Sequence, residues 1–152
     1  QQVIPGNGSG SGDNGSNNNG NNPDDNDDNN DDTPVSNNLK ITIGPVSFNA
    51  TLENNETAKA FKRLLPMTVD MSELHGNEKY YYLSNGLPTA SSNPGTIRTG
   101  DLMLYGSTCV VLFYETFSTS YTYTRLGRIT NPSGLASALG SGGVNVTFEI
   151  TD

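Results

Sequence analysis

The chain is predicted to fold as a mainly β protein, a closed eight-stranded barrel capped by two short helices and preceded by a disordered acidic tail. Three observations predict it. Segments of alternating apolar and polar residues recur along residues 39–152, each with one apolar face. Two short stretches break that period of two and carry helix signals. The charge and the Asn, Asp and Gly content are concentrated in residues 1–38. A β-sandwich is the alternative arrangement for the same strands.

Residues 1–38 contain 12 Asn, 7 Asp, 6 Gly and 4 Ser, and no Lys or Arg. Val3, Ile4 and Val35 are their only aliphatic residues, so this stretch has almost nothing to bury against the entropy of ordering its backbone. It is expected to be a disordered linker. Asp24–Asp32 offers hard oxygen ligands, but no frame combines a Gly at loop position 6 with a Glu at position 12. Weak, nonspecific calcium binding is the most it suggests. Of the net charge of −8, about −7 lies here and about −1 in residues 39–152, so the body has no electrostatic footprint for nucleic acid.

In the body, Leu39–Ile43 and Val46–Leu52 alternate around Gly44-Pro45 and predict a hairpin. The period then changes. Asn54 or Asn55 can cap a helix in which Ala58, Phe61, Leu64 and Leu65 form the apolar stripe, Lys59, Lys62 and Arg63 face water, and Pro66 stops the helix. Met67–Leu74 and Glu78–Leu83 are strands around His75-Gly76-Asn77, and Gly86–Gly95 is a loop. Asp101–Tyr105 and Thr108–Tyr114 form the central hairpin, with a two-residue turn at Gly106-Ser107. The second of these strands is apolar on both faces and is expected to be covered on both, with Val111 in the barrel core. Phe117–Ser120 connects to a strand at Tyr121–Ile129. Asn131-Pro132 opens a short helix to Leu139, with Gly140 at its C-cap, and Val144–Ile150 is the last strand.

Gly76-Asn-Glu-Lys-Tyr-Tyr-Tyr-Leu83, Pro94-Gly-Thr-Ile97, Gly100-Asp-Leu-Met-Leu-Tyr-Gly106 and Phe117-Ser-Thr-Ser-Tyr-Thr-Tyr-Thr-Arg-Leu-Gly127 resemble the bacterial cyclophilin-like domain family, from about Leu39 to Glu149. The resemblance implies a cyclophilin-type barrel. It also implies relatives that occur as secreted or lipoprotein forms or in association with flavodoxin-type redox domains, and no set reaction. The Phe-His-Arg and Gln-Gly-Gly-Asp runs of true prolyl isomerases have no counterpart here, so no catalytic residue is carried over and no enzyme activity is expected. A degenerate isomerase, or an accessory domain to a flavodoxin-type protein, is the alternative.

The lone Cys109 sits in the most apolar strand and reads as a small buried hydrophobe. His75 has no second His for a metal pair and reads as a solvated turn residue; Asp101 reads as closing the turn after Gly100. No metal site and no cofactor are expected. The tyrosines leave two readings open. Tyr121, Tyr123 and Arg125 share one face of their predicted strand, and Glu78, Tyr80 and Tyr82 share one face of theirs. They either pack across strands or line a shallow outer groove for a peptide or a flat small molecule. The expected protein is a monomeric binding module of the cell envelope, or a secreted one. It would touch a membrane only through a lipid anchor upstream of residue 1, since no window of the chain is apolar enough to span one.

Overall fold

The structure, a computed structural model, describes residues 36–151. The expected disorder of the tail and its weak calcium binding fall on residues that lie outside that range, apart from 36–38. Ten strands and two helices follow in chain order: β1 (Asn38–Ile43), β2 (Val46–Leu52), α1 (Glu56–Lys62), β3 (Met67–Leu74), β4 (Glu78–Tyr82), β5 (Thr96–Ile97), β6 (Asp101–Tyr105), β7 (Cys109–Phe113), β8 (Phe117–Ser118), β9 (Thr124–Ile129), α2 (Leu135–Leu139) and β10 (Val144–Thr151). Eight of the strands close an antiparallel barrel in the order β9-β2-β1-β10-β3-β4-β7-β6, and β6 pairs back to β9. Closure leaves no unpaired edge, which excludes the sandwich. The two remaining strands, β5 and β8, form a separate two-stranded ribbon where only loops were expected.

Alternation decides which residues enter the barrel. Leu39, Ile41 and Ile43 of β1, Val69 and Met71 of β3, and Val146 and Phe148 of β10 all join one buried interior cluster. Both helices add to it: Phe61 of α1 meets Phe148 edge-on at 5.7 Å, and Leu135 and Leu139 of α2 are buried in the same cluster. Asn55 caps α1 by accepting from the Ala58 amide at 2.7 Å, and its own side-chain amide donates to the Arg125 carbonyl, which ties the helix start to β9.

Closure also depends on Gly127. Where β9 pairs with β2 the backbones approach so closely that a Cβ on Gly127 would stand 2.5 Å from the Thr51 carbonyl oxygen, and on its other side the pairing with β6 shifts register between Arg125 and Gly127.

Several expectations need correction. Lys62 is buried rather than solvated, because the chain entering β1 offers its ammonium the Asn37 Oδ1 at 2.8 Å and the Ser36 carbonyl at 3.2 Å. Ser36 also donates to the Thr151 carbonyl, so residues 36–38 pack with the body instead of the linker. Leu64 leaves the apolar stripe. The last turn of α1 tightens to i→i−3 bonds, Leu64 to Phe61 and Leu65 to Lys62, and this rotates Leu64 outward. The central hairpin has three residues in its loop, since Tyr105 pairs with Cys109. Strand β7 is covered on both faces as expected, but Val111 lies outside the barrel. Val110 and Leu112 point inward, while Cys109, Val111 and Phe113 join a second buried cluster with Ile97, Met103 and Tyr123.

Candidate functional site

Cys109, Val111 and Tyr123 of the second cluster line a cavity of about 340 Å³ on the outer face of the barrel. Antiparallel pairing lays out the strands beneath it in rows. Tyr82, Cys109 and Tyr105 are opposite one another across β4, β7 and β6. Tyr80, Val111 and Met103 make the next row, and Leu74, Glu78 and Phe113 the one after, across β3, β4 and β7. The wall is the segment from Phe117 to Tyr123. Paired amide–carbonyl bonds between Ser92 and Tyr123, 2.9 Å each way, and the bond from the Thr119 amide to the Gly95 carbonyl anchor it to the long loop before β5. The rings pack obliquely or edge-on. Tyr105 lies 5.5 Å from Tyr123 and 5.9 Å from Tyr121, Tyr80 lies 5.6 Å from Tyr82, and Tyr123 meets Phe113 at 5.5 Å.

One carboxyl stands among these rings. Glu78 is buried, lines the cavity, and receives no side-chain or backbone hydrogen bond at its carboxyl from any described residue. Burial, reinforced by the nearby charge of Glu73, raises its pKa to about 7. Its neighbour Asn77 also lines the cavity, and the Asn77 Oδ1 is a buried acceptor with no hydrogen-bond partner among the described residues. The Cys109 thiol is pushed up to about 12, first by burial and then by Glu78, which disfavours its thiolate form. Burial also raises the Tyr123 phenol, with Glu78 adding to the effect.

The six residues expected to form a groove are therefore not placed alike. Glu78, Tyr80, Tyr82, Tyr121 and Tyr123 line this one cavity; Arg125 does not. Tyr121 and Tyr123 precede β9 instead of belonging to it, so the shared strand face that linked them to Arg125 does not exist. Arg125 sits opposite Met103, on the outer face, and its guanidinium turns to the buried Asp101 carboxylate at 4.0 Å, with Arg128 at 3.6 Å from the same group. Asp101 closes the turn that contains Gly100, from Arg98 to Asp101, rather than one after it, accepting from the Arg98 amide at 2.9 Å. His75 is exposed at the cavity rim with φ of 57°. Sequence reasoning missed Tyr105, Cys109 and the Phe117–Ser120 wall. The outward alternation of Tyr105 and Cys109 around the hairpin was the available signal. Among the described residues no group of three or more His, Cys, Asp or Glu could hold a metal ion.

Fold and site together define a closed antiparallel barrel that carries a tyrosine-lined cavity on its outside. The chain belongs to the cyclophilin-like family, whose model matches residues 41–149. A hypothetical protein of Archaeoglobus fulgidus, known from a solution structure, is similar in fold. It aligns with a TM-score of 0.52 at 20% identity, over 77% of this chain and 96% of its own. No curated protein matches the chain.

Proposed function

We propose that the protein is a binding module whose ligand seats in the outer-face cavity between β4, β6, β7 and the Phe117–Tyr123 wall. The observation that carries this reading is the Glu78 carboxyl, desolvated on the cavity side of β4 with no hydrogen-bond partner among the described residues. A carboxyl that faces a cavity without a partner is open to a ligand, and an acid perturbed by desolvation in a concave site is a candidate for function. The aromatic lining and the modest volume suit a flat small molecule or one or two side chains of an extended peptide. The composition of residues 1–38 supports an address at the cell envelope or outside the cell, where a polar linker holds a compact domain away from a surface. Protease treatment of intact producing cells checks the address: loss of the protein without lysis is expected, and full protection overturns it.

Amide-resolved NMR tests the binding reading, with a panel of small aromatic fragments and short peptides. Hits should shift the amides of Glu78, Tyr80, Tyr105, Cys109 and Tyr121 together. Hits confined to other surfaces would overturn the assignment of the cavity. A protease-coupled assay on an X-Pro peptide should show no appreciable acceleration; a rate typical of a genuine prolyl isomerase at micromolar protein would replace the binding module with an enzyme.

A further inference from the structure

We propose that the outer-face cavity is a receptor for an organic cation, a protonated amine or quaternary ammonium group on a small molecule or peptide side chain, with Glu78 as its counter-ion and the tyrosine rings as its cage. The inference rests on the binding reading above and specifies the chemistry that the cavity takes.

Three features of the lining converge on that class. Among the described residues no Lys or Arg lines the cavity, and the imidazole of His75 is exposed at its rim. The Glu78 carboxyl lines the cavity without a donor among the described residues, so a ligand that supplies donors or positive charge completes it. The walls are rich in aromatic rings: Tyr80, Tyr82, Tyr105, Tyr121 and Tyr123 all border the space. Ring quadrupoles attract a cation, and the attraction is strongest where water is excluded. A neutral apolar ligand would satisfy the rings and leave the Glu78 carboxyl without a partner, and an anion would meet the Glu78 charge.

The nearest other acid does not compete for the role. Glu73 is the cross-strand partner of Lys79 and accepts from its ammonium at 2.8 Å, so its charge is already matched. Arg125 and Arg128 are likewise committed to Asp101.

The test uses three probes of one size and different charge: benzylammonium, benzyl alcohol and benzoate. Each is titrated into the full chain near pH 8 at low salt and followed by the amide shifts of Glu78, Tyr105, Cys109 and Tyr121. Benzylammonium should bind at least tenfold more tightly than benzyl alcohol, and benzoate should not bind. Glu78→Gln should abolish the preference for benzylammonium over benzyl alcohol while the variant stays folded, with a thermal midpoint no lower than that of the wild type. Tyr121→Ala, at a ring 55% exposed and so removable without harm to the fold, should weaken benzylammonium several-fold. Equal affinity for benzylammonium and the alcohol, or binding of benzoate, overturns the cation assignment and leaves the ligand cavity standing. A preference that persists in Glu78→Gln overturns the role of Glu78. No shift of the cavity amides with any of the three overturns this proposal and the binding reading together.

Discussion

Glu78 and Lys79 are adjacent on β4, and they show two opposite ways of burying a charge. The alternation of a strand sends them to opposite faces. Lys79 turns inward and is fully buried, and its ammonium is saturated: Glu73 Oε1 at 2.8 Å, the Gly140 carbonyl at 2.8 Å, the Gly142 carbonyl at 2.6 Å, with the Tyr114 ring 5.5 Å away. It fastens the loop between α2 and β10 to the barrel wall. Tyr114 completes the group by donating to Glu73 Oε1 at 2.8 Å. Burial alone would raise the Glu73 pKa, but the hydrogen bonds from Lys79, Tyr114 and the Gly76 amide outweigh it and hold the carboxyl below its ordinary value. Glu78 turns outward into the cavity and has no such partners, so burial raises its pKa instead. A charge that the fold fully satisfies is structural; one that the fold leaves unsatisfied beside an open cavity is available to a ligand.

The comparison breaks most visibly at Lys79. Lys79→Met leaves Glu73 and two loop carbonyls without their donor, and should cost about 3–4 kcal/mol in urea unfolding. A loss below 1 kcal/mol would show that the network is not holding the loop.

Glu78→Gln should act in the other direction, and pH reveals it. The folded-state pKa of Glu78 lies above its unfolded value, about 7 against 4.5, so between those values the native state holds more protons than the unfolded chain. Stability therefore falls as pH rises through that window, by up to about 3 kcal/mol from this group. Glu73 has the opposite sign. Its lowered pKa contributes stability that is present above 4.5 and is lost as pH falls below it. The wild-type protein should thus be most stable near pH 5, and Glu78→Gln should remove the decline above it. Urea midpoints from pH 4 to 8 measure this, and a wild-type curve that is flat from pH 5 to 8 would contradict the raised pKa.

Smaller effects sharpen the contrast. Tyr114→Phe removes one hydrogen bond from a carboxylate that keeps Lys79, and should cost about 1 kcal/mol. Arg125→Ala removes a half-exposed partner from Asp101, which retains Arg128 and the Arg98 amide. It should cost less than about 1 kcal/mol and leave fragment binding in the cavity unchanged. Weakened binding in that variant would return Arg125 to the site.

Strand patterns were legible because burial on one face imposes a period of two. Leu39–Ile43, Met67–Leu74 and Val144–Thr151 needed no tertiary information to be recognised. The helix cap at Asn55 and the turn at Gly44-Pro45 follow from local hydrogen bonding and backbone sterics in the same way. The site was half legible. Glu78, Tyr80 and Tyr82 alternate along one strand, and that spacing by itself puts them on one face. The grouping of Tyr121 and Tyr123 with Arg125 failed because a period of two was assumed where the chain is still irregular and enters β9 only at Thr124.

The amino-acid sequence by itself determined the eight barrel strands, the two helices and the acidic character of residues 1–38, since each depends on neighbours within a few residues or on composition, and four separated motifs carried the resemblance to the family. Only the tertiary structure decided which face of β7 looks into the barrel, which residues wall the outer cavity, and which buried charge is matched. Lys62 and Lys79 read alike as polar residues in sequence, yet both are buried because acceptors distant in the chain, Asn37 for one and Gly140 and Gly142 for the other, converge on their ammonium groups. Glu78 is buried where no donor converges. That difference arises from contacts between segments far apart in the chain, and no local pattern encodes it.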